Sequence, residues 1–278
     1  MKTVIVLLSL IAIIQASSLK LRSLKPVHNE KVFGSNEDSS EDLFITGGDI
    51  AKRGQFPWTV FINIDNNYIC GGALISSRWV LTAAECTYGF GLFQLYIGMQ
   101  NMDDDEVGRL VVITTNRIAH EEYDYNDFKN DISLIKLNHE VGMNDYIATV
   151  SLPTYSMASN DYAGDTAIAL GWGLTSDNDT QVNRDLRFVN LTVISNIACK
   201  DSWGNYILDG NICTDATTMK STCSGDNGGP LVTADNILIG IQSFVATDGC
   251  QKGLSSVFTR VTHYLQWIET SSGIKIDP

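Results

Sequence analysis

Carboxylate side chains can catalyse a reaction or bind a metal in pairs, without a side chain of another type. A close pair of carboxylates can hydrolyse glycosides or hold Ca²⁺, and two candidates are Glu85, directly before Cys86, and Asp131, at the start of an apolar run. Four consecutive carboxylates also form the run Asp103–Glu106, which lacks the spaced ligand pattern of a calcium loop. We interpret this run as a solvated loop, and we expect no metal and no cofactor.

The chain begins with the pattern of a secretory signal peptide. Lys2 precedes an apolar run from Val4 to Ile14, and small residues follow it. Because this run is too short to span a bilayer, we expect residues 1–16 to be removed and the mature protein to be secreted and extracellular. Six cysteines, all after residue 69, then predict three disulfides, in any of the fifteen pairings that six cysteines permit.

The net charge of −13 is carried by residues 45–278, because residues 1–44 hold five basic and five acidic side chains. Such an acidic chain is a poor partner for nucleic acid, heparin-like polymers or anionic membranes. We interpret this charge as a means of solubility. We expect an extracellular protein partner, whose identity the sequence does not give, and a monomeric chain.

Residues 17–44 are polar and have too few periodic apolar positions to form a core, so they are predicted to be a propeptide or linker. From residue 45 onward the sequence favours many short strands separated by Gly, Asn, Asp and Ser clusters. One long helix is predicted at Thr262–Glu269. The clearest strand candidates are Trp58–Ile64, Leu110–Thr114, Ile132–Leu137, Leu186–Ile194, Ile237–Gln242 and Val257–Val261.

Five motifs, in order and spacing, resemble the chymotrypsin-like serine protease family across residues 45–278. Ile45–Gly48 resembles the family's mature amino terminus, and Gly171–Gly173 resembles a common strand and turn. The segments that carry the catalytic histidine, aspartate and serine are resembled by Leu81–Cys86, Asp131–Leu137 and Gly225–Pro230, respectively. The resemblance implies an all-β fold of two six-stranded antiparallel β-barrels, about 45–155 and 156–278, with a C-terminal α-helix. We expect a homologue of the kind found in invertebrates.

The resemblance places Glu85, Asp131 and Asn227 where the family carries its catalytic His, Asp and Ser. The family's reaction needs a hydroxyl nucleophile and an imidazole base oriented by a carboxylate. An amide nitrogen has no usable lone pair, and a carboxylate does not bridge the other two groups as imidazole does. The sequence therefore predicts that the chain is not an enzyme. The four histidines offer no replacement, since the resemblance assigns them to the propeptide, surface or loops: His28, His120, His139 and His263.

The resemblance also pairs the cysteines as Cys70–Cys86, Cys199–Cys213 and Cys223–Cys250. It implies that Asp226 receives the amino group of Ile45 after cleavage of the bond that follows Phe44. Since trypsin-like activation needs Arg or Lys before that bond, we expect either activation by a chymotrypsin-like enzyme or no activation.

The resemblance places Gly225 and Asn227 at the oxyanion hole. It places Ser221, Ser243, Val245 and Ser256 in the specificity pocket. Val245 stands where the family usually has Gly, so it should hinder an aromatic side chain at the entrance. Neutral substitution of the pocket residues after a loss of activity would also place Val at this position. Asn178 and Asn190 begin sequons for N-glycosylation.

Three functions follow from this pattern. The leading hypothesis is a secreted, non-catalytic serine protease homologue that acts by binding, as a decoy, cofactor or regulator of a proteolytic cascade in immunity, clotting or a host-directed secretion. The alternative is an active chymotrypsin-like endopeptidase whose Glu85 and Asn227 are engineered or erroneous, or which reacts in an unfamiliar way. A structural or storage protein is the third, and it would show no specific partner.

Overall fold

A computed structural model describes residues 48–246 and 249–278. Two sheets account for nearly all regular structure in this part of the chain. The first contains β2 (Thr59–Ile64), β3 (Tyr68–Ser76), β4 (Trp79–Thr82), β5 (Phe93–Ile97), β6 (Leu110–Thr114), β7 (Arg117–Ala119) and β8 (Ser133–Lys136). The second contains β1 (Asp49–Ile50), β9 (Thr166–Gly171), β10 (Arg187–Ile194), β11 (Asn211–Thr214), β12 (Pro230–Thr233), β13 (Leu238–Phe244) and β14 (Ser256–Arg260). The helices are α1 (Asn196–Trp203) and α2 (Leu265–Ser272).

The N-terminal sheet has the strand order β6-β5-β2-β3-β4-β8-β7, and every pair is antiparallel. Its two outer strands, β6 and β7, are separated in sequence only by Thr115 and Asn116. The two ends of the sheet therefore lie close together, and the sheet curls around a core to which β2 contributes five buried residues out of six.

The C-terminal sheet forms a closed ring. Its order is β10-β11-β14-β13-β12-β9, and β9 pairs again with β10 along six residues. Closure leaves no open edge in the ring, which removes a place where another chain could pair. The two-residue strand β1 joins the outside of this ring through β10, although its residues precede the N-terminal sheet in sequence.

The predicted fold class is confirmed, with two antiparallel barrel-like sheets and a C-terminal helix. The strand count differs from the expected six in each sheet, because the bend at Thr115 and Asn116 divides one strand into β6 and β7, and β1 adds a seventh strand to the other sheet. The predicted helix is confirmed in part, since Val261–Tyr264 forms a 3₁₀ turn before α2 begins. The helix α1 was not predicted.

Three disulfides are present, and they join Cys70 to Cys86, Cys199 to Cys213 and Cys223 to Cys250. These are the pairs that the resemblance selects. The first ties β3 to the turn after β4, and the third ties the segment before β12 to the segment after β13. Short loops closed in this way restrict the unfolded chain. No helix among the described residues combines the length and apolarity needed to cross a membrane.

Packing in the N-terminal sheet gives a test of this core. Ile62 on β2 is fully buried, whereas Ile113 on β6 is 54% exposed. We expect Ile62→Ala to lower the free energy of unfolding by about 2–5 kcal/mol, because it leaves a cavity. The matched control Ile113→Ala should change it by less than about 0.5 kcal/mol. Urea unfolding followed by fluorescence measures both, and equal losses would contradict the assigned core.

Candidate active site at the barrel junction

The predicted catalytic positions meet where the two sheets face each other. Glu85 lies in the turn after β4, and Asp131 directly precedes Ile132 and β8 of the same sheet. Asn227 lies in the turn before β12 of the other sheet, and Ser243 lies in β13. The ends of strands from both sheets therefore position the site, and its four side chains are 7% exposed or less.

Hydrogen bonds connect these four residues in a ring across the junction, which we call the junction ring. The backbone N–H of Glu85 donates to Asp131 Oδ1 at 2.8 Å, and Ser243 Oγ donates to Asp131 Oδ2 at 2.6 Å. Asn227 Nδ2 donates to the Ser243 carbonyl oxygen at 2.8 Å and also to Glu85 Oε1. The amide of Asn227 thus contacts both Glu85 and the strand that holds Asp131 in place.

Burial of two carboxyl groups so close together sets the electrostatics of the junction ring. Burial, followed by the charge of Asp131, raises the pKa of Glu85 well above its ordinary value, against the opposing hydrogen bond from Asn227. Burial also raises the pKa of Asp131 to about 6, although Ser243 and the backbone of Glu85 donate to it. Glu85 Oε2 is buried and has no hydrogen-bond partner among the described residues. Burial therefore favours the protonated form of both carboxyl groups.

The turn that carries Asn227 is fixed by close backbone contacts. Gly71 N–H of β3 donates to the Asn227 carbonyl oxygen at 2.7 Å. A Cβ on Gly71 would lie 2.7 Å from Gly229 Cα, so glycine is needed for the sheets to approach. Gly228 has φ +78°, and a Cβ there would lie 2.2 Å from Thr82 Oγ1. Gly225, the other predicted oxyanion-hole residue, has φ +95° in the same turn.

Asp226 is fully buried beside Asn227. Its carboxylate accepts hydrogen bonds from the Gly173 and Cys223 N–H groups, both at 2.8 Å, and burial raises its pKa to about 6. The predicted activation residues Phe44 and Ile45 lie outside the described residues, as do the predicted signal peptide and propeptide.

The predicted pocket residues lie together on the C-terminal sheet side. Ser221 Oγ donates to the Cys250 carbonyl oxygen at 2.7 Å, and Ser256 Oγ accepts from Thr222 N–H at 3.2 Å. Val245 packs against the Cys223–Cys250 disulfide. Its side chain is 4% exposed, so it fills space beside the disulfide. Ser243 belongs instead to the junction ring, where it contacts Asp131.

The remaining predicted residues lie away from the junction ring. His120 stacks on Trp267 with ring centroids 5.3 Å apart, and His263 packs against Tyr264. Asn178 lies in an exposed turn, and Asn190 is exposed on β10. N-glycosylation of Asn178 and Asn190 stays a prediction.

The acidic run Asp103–Glu106 differs from the simple solvated loop that we expected. Glu106 has a side-chain exposure of only 6%, pairs with Arg53 at 3.2 Å and accepts from the backbone N–H groups of Gln100 and Asn101. Asp103 pairs with Arg184 at 2.7 Å. Arginine side chains therefore neutralise part of this run.

Two residues of the site were missed by sequence reasoning. Ser243 was considered only as a pocket residue, although its hydroxyl orients Asp131. The hydroxyl of Tyr123 is buried without a hydrogen-bond partner among the described residues. Burial, together with the charges of Asp131 and Glu85, raises the pKa of Tyr123 far above its ordinary value. The sequence carries no local signal for either role, because both depend on contacts between distant segments.

Comparison with known proteins identifies the family. The trypsin family model matches residues 45–268. The chain belongs to the trypsin family. It is 40% identical to brachyurin of Leptuca pugilator, over 83% of this chain and 99% of that protein, and 33% identical to a chymotrypsin of Phaedon cochleariae, over 98% of each. The match to a solved collagenase structure covers 82% of this chain and 99% of the collagenase chain, with a TM-score of 0.76 and 34% sequence identity.

These relatives correct one prediction. The sequence predicted that the chain is not an enzyme, and that prediction is contradicted, because similar proteins carry the names of proteases: brachyurin, a serine protease of Drosophila melanogaster, trypsin of Gallus gallus and collagenase. The expected invertebrate relatives are present among them, in crab and fly.

The unpaired oxygen of Glu85 gives a stability test. A carboxyl group whose folded pKa is raised costs stability as pH rises above its unfolded pKa of about 4.3. We expect Glu85→Gln to raise the free energy of unfolding by about 1–3 kcal/mol at pH 8, since a neutral amide replaces a buried, incompletely bonded carboxyl group. The gain should shrink as pH falls through about 4.3, because Glu85 is then increasingly protonated in the unfolded state as well.

Thermal unfolding between pH 4 and pH 8 measures this effect. Glu122→Gln is the matched control, because Glu122 is exposed and lies outside the junction ring. A loss of stability in Glu85→Gln at pH 8, or a gain that does not depend on pH, would contradict the assigned burial cost.

Proposed function

We propose that this chain is a secreted endopeptidase-type member of the trypsin family that acts on polypeptides at the junction of the two sheets. The observation that carries the proposal is the junction ring, in which Glu85, Asp131 and Asn227 come together from both sheets. The protease names of the relatives support the same class of activity.

The chemistry follows from the side chains that stand in the ring. A carboxylate is a general base, and one whose pKa is raised toward neutral pH is matched to that task. We propose that Glu85 takes a proton from a water molecule as its oxygen attacks the peptide carbonyl carbon. Glu85 then returns this proton to the amine that leaves when the C–N bond breaks. Asp131, held by Ser243 and the Glu85 backbone, fixes the position of the base.

Asn227 has a different role in this scheme. Its Nδ2 group donates to Glu85 and to the Ser243 carbonyl oxygen, and we propose that the N–H bonded to Glu85 turns to the peptide carbonyl oxygen, where a donor stabilises the negative charge that develops. Binding and oxyanion stabilisation alone give on the order of 10³–10⁴-fold acceleration over water. A general base adds about 10²–10⁴-fold. The proposed activity is therefore slow beside that of a serine nucleophile.

A second candidate is a binding function that does not depend on turnover, as a decoy, cofactor or regulator of a proteolytic cascade. The bond between Asn227 and Glu85 favours it, because each side chain already satisfies the other before substrate arrives. A polypeptide held in the cleft would then dissociate intact more often than it is cut.

Hydrolysis of a quenched fluorescent peptide library tests the first candidate. We expect slow turnover by the unchanged chain that rises with pH as Glu85 loses its proton, and a decrease of about 10²-fold in Glu85→Gln. Glu122→Gln should match the unchanged chain. The double variant Glu85→His with Asn227→Ser should exceed both by several orders of magnitude, which shows that the cleft accepts the peptides. Equal background rates for the unchanged chain and Glu85→Gln, beside an active double variant, would refute the general-base role and favour the binding function.

The buried carboxylate of Asp226 leads to a prediction about processing. We propose that the bond after Phe44 is cleaved and that the new amino group of Ile45 pairs with Asp226, because a cation would offset the cost of burying that carboxylate. Amino-terminal sequencing of the secreted protein should begin at Ile45, and treatment of the uncleaved chain with chymotrypsin should raise its melting temperature. A start between residues 17 and 20 in the secreted protein would contradict cleavage at Phe44.

A further inference from the structure

A groove of about 590 Å³ lies on the N-terminal sheet, away from the junction ring. It is formed by residues at and beside β4, β7 and β8 and by the end of α2.

The charge of this groove is opposite to that of the chain. Residues 45–278 contain 14 Lys and Arg against 27 Asp and Glu. Three of those basic residues, Arg78, Arg117 and Lys136, line this single groove, and its lining contains no carboxylate side chain. A local concentration of positive charge on an acidic chain is an electrostatic feature that selects an anionic partner.

Contacts with the sheet hold two of the three cations in position. Arg117 Nε donates to the Thr87 carbonyl oxygen at 2.6 Å. The ammonium group of Lys136 lies 5.3 Å from the centre of the Trp79 ring, which is a cation–π distance. Positioned cations lose less conformational entropy when they bind an anion than mobile ones do.

The third cation has an exchangeable partner. Arg78 Nε lies 3.1 Å from Glu140 Oε1, and the two side chains are 46% and 67% exposed. Exposed pairs of this kind contribute little stability. A carboxylate from another molecule can therefore replace Glu140 at little cost.

We propose that this groove binds a short acidic segment of a polypeptide partner. Carboxylates match the planar guanidinium groups of Arg78 and Arg117. The hydroxyl of Ser271 lines the same groove, as do the amide groups of Asn116 and Asn138, which bond to each other at 3.2 Å. A long polyanion is disfavoured, because the net charge of −13 repels it beyond the few charges that the groove neutralises. The proposal does not depend on turnover at the junction ring.

A labelled acidic peptide tests this proposal directly. The probe is the capped hexapeptide Asp-Glu-Gly-Ser-Asp-Glu, which does not occur in this chain, and the control peptide is Asn-Gln-Gly-Ser-Asn-Gln. Fluorescence anisotropy with the full secreted protein should show binding of the acidic peptide that weakens with added salt, and no binding of the neutral one. Arg117→Gln and Lys136→Gln should each raise Kd about five-fold, and the double variant about 25-fold.

Lys200→Gln is the matched control, since it removes one exposed cation from α1, outside the groove. Its Kd should stay within about two-fold of that of the unchanged protein. Circular dichroism confirms that each variant is folded. The proposal is overturned if the acidic peptide does not bind at low salt, if Lys200→Gln weakens binding as much as Arg117→Gln, or if a sulfated oligosaccharide of equal charge binds more tightly than the peptide.

Discussion

Burial of carboxyl groups at the contact between the two sheets is the constraint on which the structure depends. Glu85 and Asp131 come from one sheet, and Asp226 comes from the other; all three are at most 5% exposed. A buried carboxyl group must be hydrogen-bonded or protonated. Here part of that bonding crosses the contact, because Ser243 and Asn227 donate to groups of the opposite sheet. Separating the sheets would therefore leave buried polar groups without partners.

Glycine makes this arrangement possible. Gly71 and Gly229 lie against each other where the sheets meet, and neither side has room for a Cβ. Their close approach brings the Asn227 turn within hydrogen-bonding distance of β3. The backbone contact and the side-chain ring therefore support each other, and a change in either would displace the site.

The sequence predicted the parts of the fold that have local signals. Strands such as β2 and β10 carry dense β-branched and apolar residues, whereas β3 contains Gly71 and Gly72 and was not predicted. The helix α1 has only two buried residues among eight, so its pattern gives little indication of a helix. The motifs identified Glu85, Asp131 and Asn227, but not the ring, because Ser243 lies 112 residues from its partner Asp131.

Glu85 connects stability with function. Its Oε2 has no hydrogen-bond partner among the described residues, and its pKa is raised by burial beside Asp131. A glutamine would satisfy the same packing without a buried charge. A carboxylate at this position therefore costs stability that the fold does not require, and proteins commonly retain such costs at functional sites. In the proposed mechanism this unpaired oxygen is the atom that accepts the proton, since Oε1 already accepts a hydrogen bond from Asn227.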